Sequence, residues 1–414
     1  MTSLWQPLAV IAALALAIGL RFVPRLRGYQ FTAWIIAAVT AGMIYPAQLL
    51  HVGDLDLRNK WLILFIVQAV MFGMGTQMKL TDFKGVARMP LAVGIGVVGQ
   101  FTIMPLVGFG LTKLFHFEPE IAAGVILIGS CSAGLASNVM AYIAKANLAL
   151  SITMTSVTTL MAPLMTPLWM KLLAGELVEV AALKMMMEII KIVIVPIGAA
   201  LLHDYLTFAT PRGQRVVWTA TAAGGLWLAF IAFGGWDWIK ASVATDALPW
   251  IGVAGFLFGA VIVGQVYHSV VRVFPELPKR MPVVSMFGIV YFTAVTTAAG
   301  RDNLLQIGGL LFLAAALHNT FGYVFGYSLA RACRMDKASA RTVAFEVGLQ
   351  NGGMASGLAG ALGKLGTMGL AAAIFSPWMN ISGSMLANYW RKRAERTAHA
   401  ETPGAATLVR LDNP

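Results

Sequence analysis

Charge is scarce in this sequence. Asp, Glu, Lys and Arg make up 12% of its 414 residues, about half the share of an average soluble domain. The hydrophobic residues reach 58%. That balance excludes an ordinary water-soluble globule. Cysteine is scarcer still: Cys131 and Cys333 are the two, too few for a disulfide framework, and each is expected to be a free thiol. The six histidines are scattered, with neither a His-Glu-x-x-His nor a Cys-His cluster, so no catalytic zinc is expected. Gly-x-Ser-x-Gly and Walker motifs are absent, which leaves hydrolase chemistry and ATP-driven pumping without support. Gly94-Ile-Gly-Val-Val-Gly99 matches a dinucleotide fingerprint. No strand precedes it and it lies in an apolar run, so it reads as a helix-packing seam. Residues 1–7 hold no basic side chain, whereas a signal peptide carries its charge ahead of its apolar core. The N-terminal run therefore reads as a retained outside-in helix.

What is present is a series of apolar runs long enough to span a bilayer as helices. They fall at about 6–20, 31–50, 62–78, 90–112, 121–143, 149–170, 185–202, 216–236, 249–271, 281–299, 306–330, 342–362 and 368–390. The fold class is thus an all-α polytopic membrane protein of thirteen expected spans. Basic residues fix its orientation, because cytoplasmic loops are enriched in Lys and Arg. Of the 30 basic residues, 21 follow odd-numbered spans, among them Arg21, Lys79, Lys145, Lys279 and Arg331, and 8 lie on the other side. The N-terminus is then expected outside and the C-terminus inside. The net charge of +12 is accounted for by topology, so no nucleic-acid partner is expected. Residues 394–414 are polar and read as a disordered cytoplasmic tail. In span seven Glu188 and Lys191 stand three apart and are expected to pair.

Two stretches break the membrane pattern. Ala344-Phe-Glu-Val-Gly-Leu-Gln-Asn-Gly-Gly-Met-Ala-Ser-Gly357 places a carboxylate, two amides and four glycines inside an apolar region. Backbone can open at membrane depth only where it lines a cavity or is buried in protein. Intramembrane acids are functional by default, so Glu346 is the first site candidate; the bland reading is a glycine packing seam with a satisfied carboxyl. Gly129-Ser-Cys-Ser-Ala-Gly-Leu-Ala-Ser-Asn-Val-Met140 is similarly rich in small and hydroxyl residues. Ser151 and Thr155 follow, four apart and so on one helical face. Ser, Thr, Asn and Glu oxygens suit a hard cation. Taken singly, the hydroxyls can equally bond back to their own helix, and Asn138 can hold two helices together.

In combination, Ala136-Ser-Asn-Val-Met-Ala-Tyr142, Ala149-Leu-Ser-Ile-Thr-Met-Thr155, Pro163-Leu-Met-Thr-Pro167, Phe345-Glu-Val-Gly-Leu-Gln-Asn351 and Asn380-Ile-Ser-Gly-Ser384 resemble the bile acid:sodium symporter family, bacterial branch. The resemblance implies ten helices in two inverted five-helix repeats, with the fourth helix of each repeat broken and the two broken helices crossing. It implies one sodium held by Ser137, Asn138, Ser151, Thr155 and Glu346. A second is implied at Gln100, Glu346 and Gln350 with the backbone carbonyls of Val347 and Leu349. Substrate would meet Leu135, Asn351, Met379 and Asn380. The organisation that follows is an added N-terminal helix in 1–30, the first repeat and first helix of the second in 31–206, an inserted two-helix hairpin in 207–280, the remainder in 281–393, and the tail. The insertion is expected on the side away from the ion sites, with Gln265 and His268 as packing or interfacial residues. Two departures stand out. Ser132-Ala-Gly-Leu135 replaces the family's Pro-Gly-Gly-Thr, and Met379 stands where a His often precedes Asn380; both make the pocket more apolar.

The function implied is sodium-coupled symport of a small organic anion by alternating access, in a bacterial inner membrane. Sodium is the coupling ion; no cofactor and no enzymatic activity are expected. The alternatives are a proton-coupled or exporting carrier of the same fold and a non-transporting membrane sensor or scaffold.

Overall fold

Lipid offers a backbone amide no partner, so long apolar runs must close their hydrogen bonds within a helix. The computed structural model, which describes residues 5–23 and 30–401, follows that rule: its helices are α1 (Trp5–Phe22), α2 (Gln30–Ile44), α3 (Lys60–Gly75), α4 (Pro90–Phe115), α5 (Pro119–Ser130), α6 (Leu135–Ile143), α7 (Leu148–Ala174), α8 (Ala182–Phe208), α9 (Pro211–Ser242), α10 (Leu248–Val273), α11 (Leu277–Ala299), α12 (Arg301–Ala332), α13 (Lys337–Gly348), α14 (Gly352–Ala361) and α15 (Met368–Glu401). The strands among the described residues are one short hairpin that pairs His51 with Asp56 and Val52 with Leu55. The chain is an all-α polytopic membrane protein.

Among the described residues nine helices are long and apolar enough to cross a membrane: α1, α4, α7 to α12 and α15. The other four expected spans are the shorter or interrupted ones. The run at 31–50 yields α2, which stops at Ile44 ahead of Pro46. The run at 62–78 yields α3, followed after a 70° bend by the short segment Leu80–Arg88. The runs at 121–143 and 342–362 each fold as two short helices, α5 with α6 and α13 with α14. The first of these pairs begins earlier than expected and takes in Glu120. Its carboxylate accepts from the Thr367 hydroxyl at 2.6 Å and from the Lys364 ammonium, so the broken spans hold a second acid besides Glu346. α15 runs on through Glu401, covering part of the stretch expected to be disordered; residues 402–414 lie outside the described residues, as do Arg25 and Arg27.

The helices pack in two groups. α11 packs on α2 and on α3, α8 packs on α3, and α1 lies on α2. α10 packs on α8, and α9 packs on α10. At the α8–α10 joint His203 Nδ1 and His268 Nδ1 are 3.1 Å apart, Gln265 is buried, and Tyr267 meets Phe72 of α3 edge-on at 4.9 Å. Lys191 pairs with Glu188 at 2.7 Å in a stretch where α8 widens to a π turn, Ile190–Ile194, and Gln68 donates to the Lys191 carbonyl at 3.0 Å. The second group is α4 to α7 with α12 to α15.

The groups meet where α8 lies on α7, where α11 lies on α14 and α15, and where α14 lies on α3. Here Gly353, Gly357 and Gly360, a three-and-four spacing that keeps one helical face, lie on Val70, Val67 and Ile63. A methyl added at Gly357 would stand 2.2 Å from Val67 Cγ2 and one at Gly360 2.8 Å from Ile63 Cγ2. The absence of side chains is what brings the two backbones together.

Candidate functional site: a crossing of two broken helices

Both breaks need partners for the backbone groups they free, and each supplies the other's. α5 ends at Ser130, and Cys131 and Gly134 are extended. α13 ends at Gly348, with Leu349 extended. Ala133 and Gln350 form an antiparallel bridge; the Asn351 amide donates to the Ser132 carbonyl at 2.9 Å and the Gly134 amide to the Leu349 carbonyl at 3.3 Å. Gly134 is required there, because a Cβ would stand 2.9 Å from the Gln350 carbonyl oxygen. Neighbouring long helices bond the exposed helix ends: Thr166 Oγ1 donates to the Ser130 carbonyl at 2.7 Å and Gln100 Nε2 to the Cys131 carbonyl at 3.0 Å. The Asn351 side chain caps α14 by accepting from the Met354 amide at 3.0 Å.

Ser137, Asn138, Ser151, Thr155 and Glu346, the first sodium set implied by the resemblance, come together beside this crossing. Glu346, Ser137, Ser151 and Thr155 are buried. Ser151 Oγ lies 2.5 Å from Glu346 Oε1 and 2.8 Å from Asn138 Oδ1. Thr155 Oγ1 lies 2.9 Å from Glu346 Oε2, 3.1 Å from Oε1 and 3.3 Å from Asn138 Oδ1. The Ser137 hydroxyl donates to the Gly134 carbonyl at 2.7 Å and stands 3.3 Å from Thr155 Oγ1. Each hydroxyl has one hydrogen. Ser151 and Thr155 therefore bring two hydrogens to three strong acceptors, the amide oxygen of Asn138 and both oxygens of the Glu346 carboxylate. The cluster is richer in lone pairs than in hydrogens, the electronic condition for a hard cation with oxygen ligands.

The second set also converges, with one atom left over. Gln100 and Gln350 are buried. Gln100 Nε2 donates to Gln350 Oε1 at 2.9 Å, and Gln350 Nε2 donates to the Val347 carbonyl at 2.7 Å. Gln100 Oε1 has no partner although it is fully enclosed. An orphaned buried acceptor is costly and is the one observation at this spot that asks for a positive ligand. The Leu349 carbonyl, the remaining member, already accepts from Gly134.

Leu135, Asn351, Met379 and Asn380 all line a cavity of about 480 Å³ that starts at the crossing and reaches Gln77, Tyr142 and Pro282. Its walls are mostly Phe31, Val70, Met74, Val139, Ile152 and Met286, and among the described residues no Lys, Arg or His lines it. The starts of α6 and α14 open into it, and helix N-termini favour negative charge. Asn351 Nδ2 is buried without a partner, while one amide hydrogen of Asn380 returns to the Ser376 carbonyl of its own helix at 2.7 Å. Sequence reading missed the residues that hold the breaks from outside, Thr166, Asn319 and Ser382. The signal for Thr166 was its place in the quoted Pro163–Pro167 run. Asn319 stood with Gly322 and Gly326 on one face of an apolar span, a small-residue stripe of the kind that lets helices approach closely.

Buried oxygen clusters at interrupted helices, deep in a polytopic helical chain, mark the class of membrane transporters whose ion sites are built from discontinuous helices. The chain belongs to the sodium bile acid symporter family. The family model, described as the Sodium Bile acid symporter family, matches residues 62–265. An uncharacterized sodium-dependent transporter of Bacillus subtilis, YocS, is 33% identical over 91% of this chain and 95% of its own length. The probable sodium/metabolite cotransporter BASS1 of Arabidopsis thaliana chloroplasts is 27% identical over 88% of this chain and 74% of its length. The human ileal sodium/bile acid cotransporter is 26% identical over 69% of this chain and 65% of its length. Sodium-dependent transport is the activity these relatives share by name.

Proposed function

We propose that the protein is a sodium-coupled symporter that carries a small organic monoanion into the cell by alternating access. The observation that carries this reading is the excess of buried acceptors at the crossing: the Ser137, Asn138, Ser151, Thr155 and Glu346 cluster, and the orphaned Gln100 Oε1 beside Gln350. One sodium would sit in the cluster and a second between Gln100, Glu346, Gln350 and the Val347 and Leu349 carbonyls. The anion would meet the start of α14, where Asn351 Nδ2 lacks a partner, with Asn380 beside it and Leu135 and Met379 shaping an apolar wall. Two sodium ions bring two positive charges; an ionised Glu346 cancels one and a monoanion the other. The loaded site is then neutral, which matters because an uncompensated charge at mid-membrane costs at least about 2.5–3.5 kcal/mol.

The repeats would be α2 to α7 and α8 with α11 to α15, the breaks in corresponding places, with 1–30 and the hairpin in 207–280 as additions. The hairpin contacts α8 and α3 and not the crossing, which supports a role outside ion binding. The cavity's outer reach, Gln77, Tyr142 and Pro282, lies beside the basic loops at Lys79, Lys145 and Lys279, so the conformation is read as open to the cytoplasm of a bacterial inner membrane. The test is a thermal-stability screen of carboxylates and sulfonates on the purified chain in sodium and in choline chloride, followed by uptake of any hit into proteoliposomes. Stabilisation that requires sodium, and uptake that follows the sodium gradient, are expected. Identical behaviour in sodium and choline would refute the reading.

A further inference from the structure

The bridge between the two breaks relates the halves of the chain residue by residue. The shift along the sequence that carries Ala133 onto Gln350 also carries Cys131 onto Gly348 and Leu135, the start of α6, onto Gly352, the start of α14. The same correspondence appears in the side chains that hold the breaks. Gln100, on the long helix before α5, donates through Nε2 to the Cys131 carbonyl at 3.0 Å. Asn319, on the long helix before α13, donates through Nδ2 to the Gly348 carbonyl at 2.8 Å. Both amides are wholly buried. Each holds the freed carbonyl at the C-terminal end of the first half of a broken helix, the polar group that an interrupted membrane helix must satisfy.

The two amides differ at the other atom. Gln100 Oε1 has no partner. Asn319 Oδ1 accepts from the Ser382 hydroxyl at 2.5 Å, and Ser382 Oγ lies 3.2 Å from the Tyr323 hydroxyl. One half of the pair keeps an acceptor open; the other has its acceptor closed by protein. Close approach makes the closed half possible: a Cβ on Gly322 would stand 2.8 Å from Gly348 Cα, and one on Gly348 2.3 Å from Tyr323 Cδ1.

Gly348 stands between Val347 and Leu349, whose carbonyls are the backbone members of the second sodium set. With the Gly348 carbonyl held toward α12, the Val347 and Leu349 carbonyls turn to Gln350 and Gly134 on the opposite side. Ser382 in turn lies two residues past Asn380 on the same helix, and Tyr323 also donates to the Met379 carbonyl at 3.4 Å. A single side chain thus joins the break that would hold the ion to the helix that would meet the substrate.

We propose that Asn319 is a positioning residue for sodium binding, the counterpart of Gln100 in the second half of the chain, and that Ser382 holds it in register. The proposal deepens the symporter reading and rests on it. The test uses sodium alone as the probe. The purified full chain is titrated with sodium chloride against choline chloride at constant ionic strength, and the sodium concentration at half-maximal thermal stabilisation is read. Asn319→Leu keeps the side chain's shape and removes both bonds, and a lost bond of this kind corresponds to about tenfold or more in an equilibrium constant. The sodium midpoint of Asn319→Leu is expected to rise about tenfold. Ser382→Ala should raise it by a smaller factor, and Ser382→Thr, which retains the hydroxyl, should restore the parent value. A merely structural role would lower the melting temperature in choline without moving the sodium midpoint, and that result in Asn319→Leu or Ser382→Ala would overturn the proposal. If Asn319→Leu does not fold, the Ser382→Ala and Ser382→Thr pair decides. A parent chain indifferent to sodium would instead refute the symporter reading.

Discussion

Glu346→Gln separates charge from shape at the crossing. The substitution leaves the side chain's volume and gives it two amide hydrogens, which Asn138 Oδ1 and the surplus lone pairs of Ser151 and Thr155 can accept. Without sodium the cluster is therefore at least as well satisfied as in the parent, and folding is expected to survive. Sodium binding is not. A cation about 4 Å from a carboxylate gains about 4 kcal/mol at an effective dielectric constant of about 20. At about 1.4 kcal/mol per decade that is close to a thousandfold in affinity. In the parent, sodium at a hundred times its dissociation constant adds about 2.7 kcal/mol of stability. In Glu346→Gln the same concentration should add almost nothing. The assay is the sodium titration against choline at fixed ionic strength, with circular dichroism to confirm helical content. A variant that folds, yet keeps a sodium midpoint within tenfold of the parent, would refute the assignment of Glu346 as the charged ligand.

Asn351→Asp retains the oxygen that caps α14 at the Met354 amide but replaces the unpartnered donor with negative charge. It should remain folded and still be stabilised by sodium, while losing at least about tenfold in the binding of any anion that stabilises the parent; unchanged anion affinity would remove Asn351 from the substrate site. Cys333 is exposed in the loop between α12 and α13, whereas Cys131 is buried, so a membrane-impermeant maleimide should label the native chain from the cytoplasmic side only, and Asp54→Cys in the short β-hairpin, combined with Cys333→Ser, should label from the outside only. The opposite pattern would invert the topology read from the basic loops. Asp336 caps α13 through the Ala338 and Ser339 amides at 2.8 and 3.0 Å. Asp336→Ala should cost about 1 kcal/mol. The hydroxyl of Ser339, with the capping amides, holds the Asp336 carboxyl below the ordinary carboxylate range. Its contribution is then full above that range and lost as the pH falls through the lowered value. A melting temperature in which parent and Asp336→Ala differ equally at neutral pH and well below that range would contradict this.

The apolar runs were legible because lipid imposes one rule on the whole chain, and every run that could cross does appear as a helix or a helix pair. The polar interruptions were legible for the complementary reason: Glu346, Gln350 and Asn138 have no place in a lipid-facing helix. What sequence could not supply is which partner each interruption finds. Nothing in the spacing of Ala133 or Gln350 says that two extended segments over two hundred residues apart in the chain bridge each other. Nor did Asn319 stand out, since an amide in a long apolar helix reads as ordinary helix packing until the Gly348 carbonyl is seen beside it. Cys131 to Gly134 are held open by bonds from the opposite break and from Gln100 rather than by local turn residues. Helix ends slipped for local reasons, as where Pro119 opens α5 ahead of the apolar run and where α15 continues past Arg393 on polar residues with good helix propensity.

The row of Gly353, Gly357 and Gly360 gives α14 the surface of a plain bearing. Helices that interlock through side chains are held by ridges seated in grooves, and sliding one past the other must lift every ridge. Here the α14 side of the joint has no ridges: Ile63, Val67 and Val70 of α3 rest on bare backbone. A shift along this line disturbs few seated contacts, whereas three methyl groups would turn the bearing into a ratchet. The same ten-residue helix begins at Asn351 and the bridge to Ser132. Its first turn is therefore joined to the crossing, and in the proposed alternating-access cycle its remaining turns would form the sliding face. Between the place where an ion would bind and the joint that would move there is no distance for a signal to cover.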